Sequence, residues 1–388
     1  MNNFMYECPV KVYFGKGCVK DNLKTELMQV GDTIMLAYGG SIKKNGIYDE
    51  VIGILNQLNK KVVEFSGIMP NPTYKKVQQG AALAKENQVD FILAVGGGSV
   101  SDCCKIISAQ AKLDEDIWNM QNEKHEFPKE FIPMGTIITV FGTGSEMNAG
   151  AVITHEEKKI KGALFGALAK TVFLDPSYSM SVPFKQVISG AFDTLSHAME
   201  TYFGKPDANN LSDDINEAVM RSVIRNIRVL VTDHENYEAR SELAWASSMA
   251  ENGILKIGKT TDFQAHMMEH QLGAYTDCNH GEGLAVIHPV LYKHIYTENI
   301  FRFARFAENV WGIKDDVMDE MHDGRLAIAG IDALREFIKE IGLPSSFREM
   351  KIAENTDFRA IADSTITTAG CCKKLTSDEI YEILKECY

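Results

Sequence analysis

Short apolar runs that lead straight into small-residue loops constrain this chain more than any other feature. Thr33–Tyr38 (TIMLAY), Lys61–Phe65 (KVVEF), 91–95 (FILAV) and 135–140 (GTIITV) are β-rich runs of strand length. Segments with helical spacing follow near residues 44–59, 73–88 and 99–112. A parallel neighbour needs a long crossover, so repeated strand-helix alternation closes as a parallel sheet with helices on its faces. The first part is therefore expected to be a doubly wound α/β domain. Residues 10–14 are expected to add an edge hairpin, with Gly15 and Gly17 near the turn.

Beyond residue 183 the texture changes. Apolar positions recur at three and four residues through 185–203, 211–231, 238–256, 261–274 and 325–341. That period lines one face of a helix. The reading is an α/β domain over residues 1–182 and an all-helical domain over 183–388. A chain of 388 residues with 45% hydrophobic content buries enough surface to fold without a disulfide or metal staple. Lys+Arg 40 against Asp+Glu 53 leaves no excess of basic charge for nucleic acid or an anionic membrane. The segment MNNFMYECPVKVYFGKG lacks a basic start followed by an apolar run, and no apolar stretch reaches the roughly 20 residues of a membrane span. The eight cysteines form no CxxC pair and read as reduced thiols. A cytoplasmic protein is expected.

Three loops follow three of the strands. Gly96, Gly97, Gly98 and Ser99 open a helix that carries Asp102 and Lys105. A glycine turn from strand to helix lets backbone N–H groups approach a diphosphate, and the helix N-terminus favours the anion. The spacing is neither GxGxxG nor a P-loop, and alone it would be a tight turn with Ser99 as cap. Gly39, Gly40 and Ser41 follow the run Thr33–Tyr38. Thr139, Thr143 and Ser145 belong to the strand end and loop near 135–146. Such loops at the carboxyl ends of parallel strands converge on one crevice, as a dinucleotide requires. Nothing acidic follows Gly39 until Asp49, and Lys43 and Lys44 lie between. A hydroxyl, backbone N–H groups and the Lys44 cation suit a 2′-phosphate, so NADP(H) is expected over NAD(H).

Histidines and one carboxylate cluster in the second part. Asp193 and His197 are four apart on one helical face. His266 and His270 are four apart, and His280 follows. Asp193, His197, His266 and His280 together make a normal donor set for one divalent metal, Fe2+ or Zn2+. His266, Glu269 and His270 also match HxxEH, in which Glu269 would be the base of a zinc peptidase. That reading leaves the glycine loops without a role.

Through these residues the chain resembles the iron-containing (group III), metal-dependent alcohol dehydrogenases along nearly its whole length. The motifs are Gly96-Gly97-Gly98-Ser99 with Asp102, Thr143-Gly144-Ser145-Glu146, Gly190 with Asp193 and His197, His266 with His270, and His280-Gly281. Tyr38-Gly39-Gly40-Ser41 with Lys43 and Lys44 is similar to the NADPH-dependent butanol dehydrogenase and aldehyde reductase branch. The resemblance implies a Rossmann-like sheet domain and a helical metal domain. It implies the four metal ligands above, Lys161 as a cofactor contact, and His270 near the substrate but outside the metal's ligands, as the candidate catalytic proton relay. It implies hydride transfer between NADP(H) and a small alcohol or aldehyde such as butanol or butanal, in a homodimer. Phe263 stands where that branch often has Trp, and Phe141 where it usually has Pro, which bears on pocket shape. A lyase of the dehydroquinate synthase type is the fold-related alternative. Its phosphate-bearing substrate would want cations near the ligands, where only Lys256 and Lys259 precede His266.

Overall fold

The computed structural model describes residues 1–316 and 319–388. It divides into two compact units, one of Glu7–Pro183 and one of Phe184–Tyr388 together with Met1–Tyr6.

In the first unit, β1 (Lys11–Phe14), α1 (Cys18–Leu27), β2 (Thr33–Tyr38), α2 (Ile47–Gln57), β3 (Lys61–Phe65), α3 (Tyr74–Glu86), β4 (Phe91–Gly96) and α4 (Gly98–Gln110) alternate. After them come α5 (Ile117–Asn122), β5 (Met134–Ile138), β6 (Gly150–His155), β7 (Ile160–Phe165) and β8 (Thr171–Leu174). A six-stranded sheet has the order β1-β8-β5-β4-β2-β3, and its neighbours are parallel. β4 is buried along its whole length. A central parallel strand is covered on both faces, which is why it reads as an unbroken apolar run. Val19, Leu23 and Leu27 of α1 and Val51 and Leu55 of α2 pack with Leu36, Leu93 and Phe173 in one core.

Residues 11–14 do not form the expected hairpin. β1 pairs in parallel with β8 at the sheet edge. Gly15 donates its N–H to the Leu174 carbonyl, and Gly17, at φ 83°, starts α1 instead of a returning strand. β5 stops at Ile138 rather than 140, where Thr139 donates to the carbonyl of Gly96, the last residue of β4. The hairpin of β6 and β7 forms a separate two-stranded antiparallel sheet.

The second unit is helical. It contains α6 (Phe184–Tyr202), α7 (Leu211–Thr232), α8 (Tyr237–Glu251), α9 (Gln264–Thr276), α10 (His280–Ile295), α11 (Ile300–Trp311), α12 (His322–Glu340), α13 (Phe358–Ser364) and α14 (Ser377–Glu386). α6 is buried almost all round from Val187 to Tyr202 and packs against α7, α8 and α10. A helix in that position keeps polar residues only where they have partners. α10 is not evident from the residue pattern, because Pro289 lies inside it and Gly281 and Gly283 lie in its first turn. No described helix is long and apolar enough to cross a membrane. All eight cysteines are free thiols.

Candidate functional site

In the sheet unit the chain runs from β2 outward to β3, then returns to β4 on the other side of β2. That reversal creates a crevice at the carboxyl ends of β2 and β4, where open α/β sheets take their ligands. The loop after β2 carries Gly39, Gly40, Ser41 and Lys44, and Ser41 and Lys44 are exposed. Its turn closes where the Lys44 N–H donates to the Ser41 carbonyl at 3.0 Å. On the other side of the crevice, Gly96 ends β4, Gly97 caps α4, and Gly98 and Ser99 form its first turn. The first N–H groups of a helix have no partner within it. A Cβ at Gly98 would overlap the Thr143 side chain, and one at Gly97 would lie 3.3 Å from the Val140 Cβ. The glycines thus let the β5 loop close against the α4 N-terminus.

Asp102 and Ser145 meet each other inside this framework. The Ser145 hydroxyl donates to Asp102 Oδ1, and the Val152 N–H donates to Oδ2 at 2.8 Å. Lys105, fully buried, donates to Ser145 Oγ at 2.8 Å and to the Gly150 carbonyl at 2.5 Å. Burial raises the Asp102 carboxyl, while the Lys105 charge and the Ser145 hydroxyl oppose that shift. These two candidate cofactor contacts are therefore engaged within the protein, where they tie α4 to the loop before β6. Thr139 is buried at the end of β5, and Thr143 accepts the Ser145 N–H at 3.2 Å. Lys161 is buried on β7, opposite Thr154 of β6.

In the helical unit, Asp193 and His197 on α6 face His266 on α9 and His280 at the start of α10. Asp193 Oδ1 lies 3.3 Å from His266 Nε2, 3.4 Å from His280 Nε2 and 3.8 Å from His197 Nδ1. One ligand atom from each of Asp193, His266 and His280 falls within 4.8 Å of the others. His197 is outside that tightest trio, yet its ring stacks on His266 at 4.4 Å. His270 stacks on His280 at 5.5 Å and groups with Glu269 and His280 rather than with Asp193.

Two glutamates orient the imidazoles. Glu200, on α6, accepts at Nδ1 of His266, and Glu269, on α9, accepts at Nδ1 of His280. Each leaves Nε2 directed to Asp193, the usual way a carboxylate fixes a ligating histidine. Glu200 escapes notice as a site residue in the sequence, although its spacing of three from His197 places it on the same face of α6. Burial would raise the Asp193 carboxyl, but the imidazoles around it, His197 first, hold it well below the ordinary range. Burial lowers His197. Burial would also lower His266, but the Glu200 charge outweighs it and raises this ring to about 10.

The arrangement fits a divalent cation. Asp193 Oδ1, His197 Nδ1 and His266 Nε2 are buried and make no hydrogen bond. Asp193, Glu200 and Glu269 bring three carboxylates into one buried cluster, and uncompensated buried charge is costly. Phe263 sits against the cluster, with its ring 5.0 Å from His266 and 5.9 Å from His197. Phe263 is thus a wall of this site.

Both rival readings lose their residues. Glu269 is fully buried on His280 and is not placed to activate water as a peptidase base. Lys259 is spent on Asp213 at 2.8 Å, and Lys256 on Glu251 at 2.7 Å, so neither is a ready phosphate ligand.

Sequence and structure comparisons identify the family. Residues 9–176 match the model described as iron-containing alcohol dehydrogenase. Residues 187–388 match that of the Fe-containing alcohol dehydrogenase family, C-terminal. The chain is 37% identical to the NADH-dependent butanol dehydrogenase A of Clostridium acetobutylicum, covering 100% of both chains. It is 35% identical to the NADPH-dependent aldehyde reductase YqhD of Escherichia coli, over 89% of this chain and 88% of that one. The crystal structure of NADH-dependent butanol dehydrogenase A from Thermotoga maritima superposes with a TM-score of 0.92 at 32% identity, covering 100% of this chain and 99% of that one. With both units matched, this chain belongs to the iron-containing alcohol dehydrogenase family and is an alcohol dehydrogenase or aldehyde reductase that uses a metal ion and a nicotinamide cofactor.

Proposed function

We propose that this protein reduces small aldehydes, butanal among them, to primary alcohols with NADPH. One divalent metal, Fe2+ or Zn2+, would be held by Asp193, His197, His266 and His280. The observation that carries this reading is the convergence of three imidazoles on Asp193 Oδ1. When bound, the metal supplies Lewis acidity that polarises the carbonyl and favours the developing negative charge. The nicotinamide supplies the hydride.

The chain's own residues do the rest. The first turn of α4 and the loops after β2 and β5 bind the diphosphate, with Gly97 and Gly98 allowing backbone approach. Ser41 and Lys44 take the 2′-phosphate. Lys161 contacts the cofactor. The Phe263 ring narrows the space beside His197 and His266, which suits a short alkyl chain. His270, stacked on His280, holds the proton that the product oxygen needs and exchanges it through its imidazole.

The test is oxidation of NADPH and of NADH with butanal, using protein stripped of metal and reloaded separately with Fe(II) or Zn(II). Turnover with NADPH in a reloaded form, lost on stripping, is the expected result. A strong preference for NADH would overturn the assignment of Ser41 and Lys44. No turnover with either cofactor across several aldehydes would overturn the reading as a whole.

A further inference from the structure

The two lysines of the turn after β2 are not equivalent. Lys43 Nζ lies 3.3 Å from Glu64 Oε2 and sits 4.3 Å from the centre of the Tyr48 ring and 5.3 Å from that of Tyr38. Lys44 is exposed and makes no ion pair among the described residues. Glu64 belongs to β3, opposite Leu36 of β2. Its Oε2 accepts the Tyr38 hydroxyl, and its Oε1 accepts the Tyr48 hydroxyl at 2.6 Å. One carboxylate therefore gathers the last residue of β2, a cation of the turn and a residue in the first turn of α2. Sequence distance hides this acid, which reaches the turn from the neighbouring strand.

We propose that Glu64 is a specificity-determining residue for the cofactor. It withholds Lys43 from an adenosine 2′-phosphate and sets a fixed negative charge beside the turn, so that NADH stays competitive with NADPH. The inference rests on the reading of residues 39–44 as the turn that takes the adenosine ribose. A 2′-phosphate needs cations with charge to spare, and a lysine paired to a carboxylate offers little net charge. Glu64 and Lys43 are both about half exposed, with side-chain exposures of 43% and 52%, so salt screens the effect. Tyr38 and Tyr48 keep the carboxylate in place by donating to it, and their hydroxyls, Tyr38 first, hold its pKa below the ordinary range.

The experiment measures kcat and KM for NADPH and NADH with metal-loaded protein and a fixed aldehyde, at low and high salt. Glu64→Gln is expected to raise the NADPH-to-NADH ratio of kcat/KM about fivefold at low salt, chiefly through KM for NADPH, and less at high salt. Lys43→Met is expected to leave the ratio within about twofold of the parent, because that charge is already committed. Combined with Glu64→Gln, it is expected to abolish the gain. An unchanged ratio in Glu64→Gln overturns the proposal. If Glu64→Gln does not fold, Lys43→Met alone decides, since a marked loss of NADPH preference would place Lys43 on the phosphate. Ser41→Asp separates the inference from the reading beneath it. If Ser41→Asp leaves both KM values unchanged, the turn does not bind the ribose and both fail. If Ser41→Asp raises KM for NADPH while Glu64→Gln changes nothing, only the role of Glu64 fails.

Discussion

Glu269 is the residue whose chemistry the fold redefines. Within HxxEH it has the spacing of a catalytic base, yet in the structure its carboxylate is fully buried on the Nδ1 of His280. It fixes one tautomer of the His280 imidazole, with Nε2 left toward Asp193. Glu269→Gln is expected to weaken metal binding by about 10- to 100-fold, measured by metal content after dialysis against a graded chelator. Unaltered metal affinity would show that the His280 ring is held by its surroundings without the carboxylate. Asp262, before α9, makes a separate prediction. It accepts N–H bonds from Gln264 at 3.0 Å and Cys372 at 2.7 Å, but burial dominates and pushes its carboxyl up to about 7. The folded state thus binds this proton more tightly than the unfolded chain, whose carboxyl titrates near 4. The contribution to stability is favourable below about pH 4 and falls as pH rises to about 7, by up to about 4 kcal/mol. In Asp262→Asn that component disappears. Urea midpoints of the metal-free protein at pH 5 and pH 8 should lie closer together in the variant than in the parent.

At the scale of elements, the site depends on how α10 docks on α6. Asn279 caps α10 by accepting the Glu282 N–H at 3.1 Å, and Ser189 of α6 donates to the same Asn279 oxygen at 2.5 Å. A Cβ on Gly281 would overlap the Ser189 carbonyl, which is backbone and cannot swing aside. Gly281→Ala is therefore expected to push the start of α10 away and to carry His280 from Asp193. The loss should be about 1–3 kcal/mol in stability, together with reduced metal content, read by thermal melting and elemental analysis. Gly53→Ala, in α2 with open space around its Cβ, is the control and should be neutral or mildly stabilising. β2, β3, α6 and α7, each with one clean period, were legible in the residues, whereas the short helices α11 and α14 were passed over despite theirs. Elements interrupted by glycine or proline, such as α10, were not legible. The short strand β1 was legible as a strand, but its partner was not.

At the scale of the molecule, the candidate metal donors all lie in the helical unit and the glycine loops all lie in the sheet unit. A metal bound to the folded cluster stabilises that unit by mass action, about 4 kcal/mol when free metal is a thousand times Kd. Chelation is expected to lower the unfolding midpoint followed by tryptophan emission, which comes partly from Trp245 and Trp311 of the helical unit, and Zn(II) or Fe(II) should restore it. A midpoint indifferent to chelator would mean the cluster holds no metal in the folded protein. Residue type and period by themselves determined the parallel α/β sheet, the change to helices near residue 183 and the candidate metal donors, because strand alternation, helical spacing and donor chemistry are local properties of the chain. Tertiary structure alone decided that Glu200 and Glu269 orient the histidines, that Asp102 and Ser145 satisfy each other and that Glu64 reaches the turn after β2. Each of those pairings joins side chains from different elements or loops, and only packing decides which of them meet.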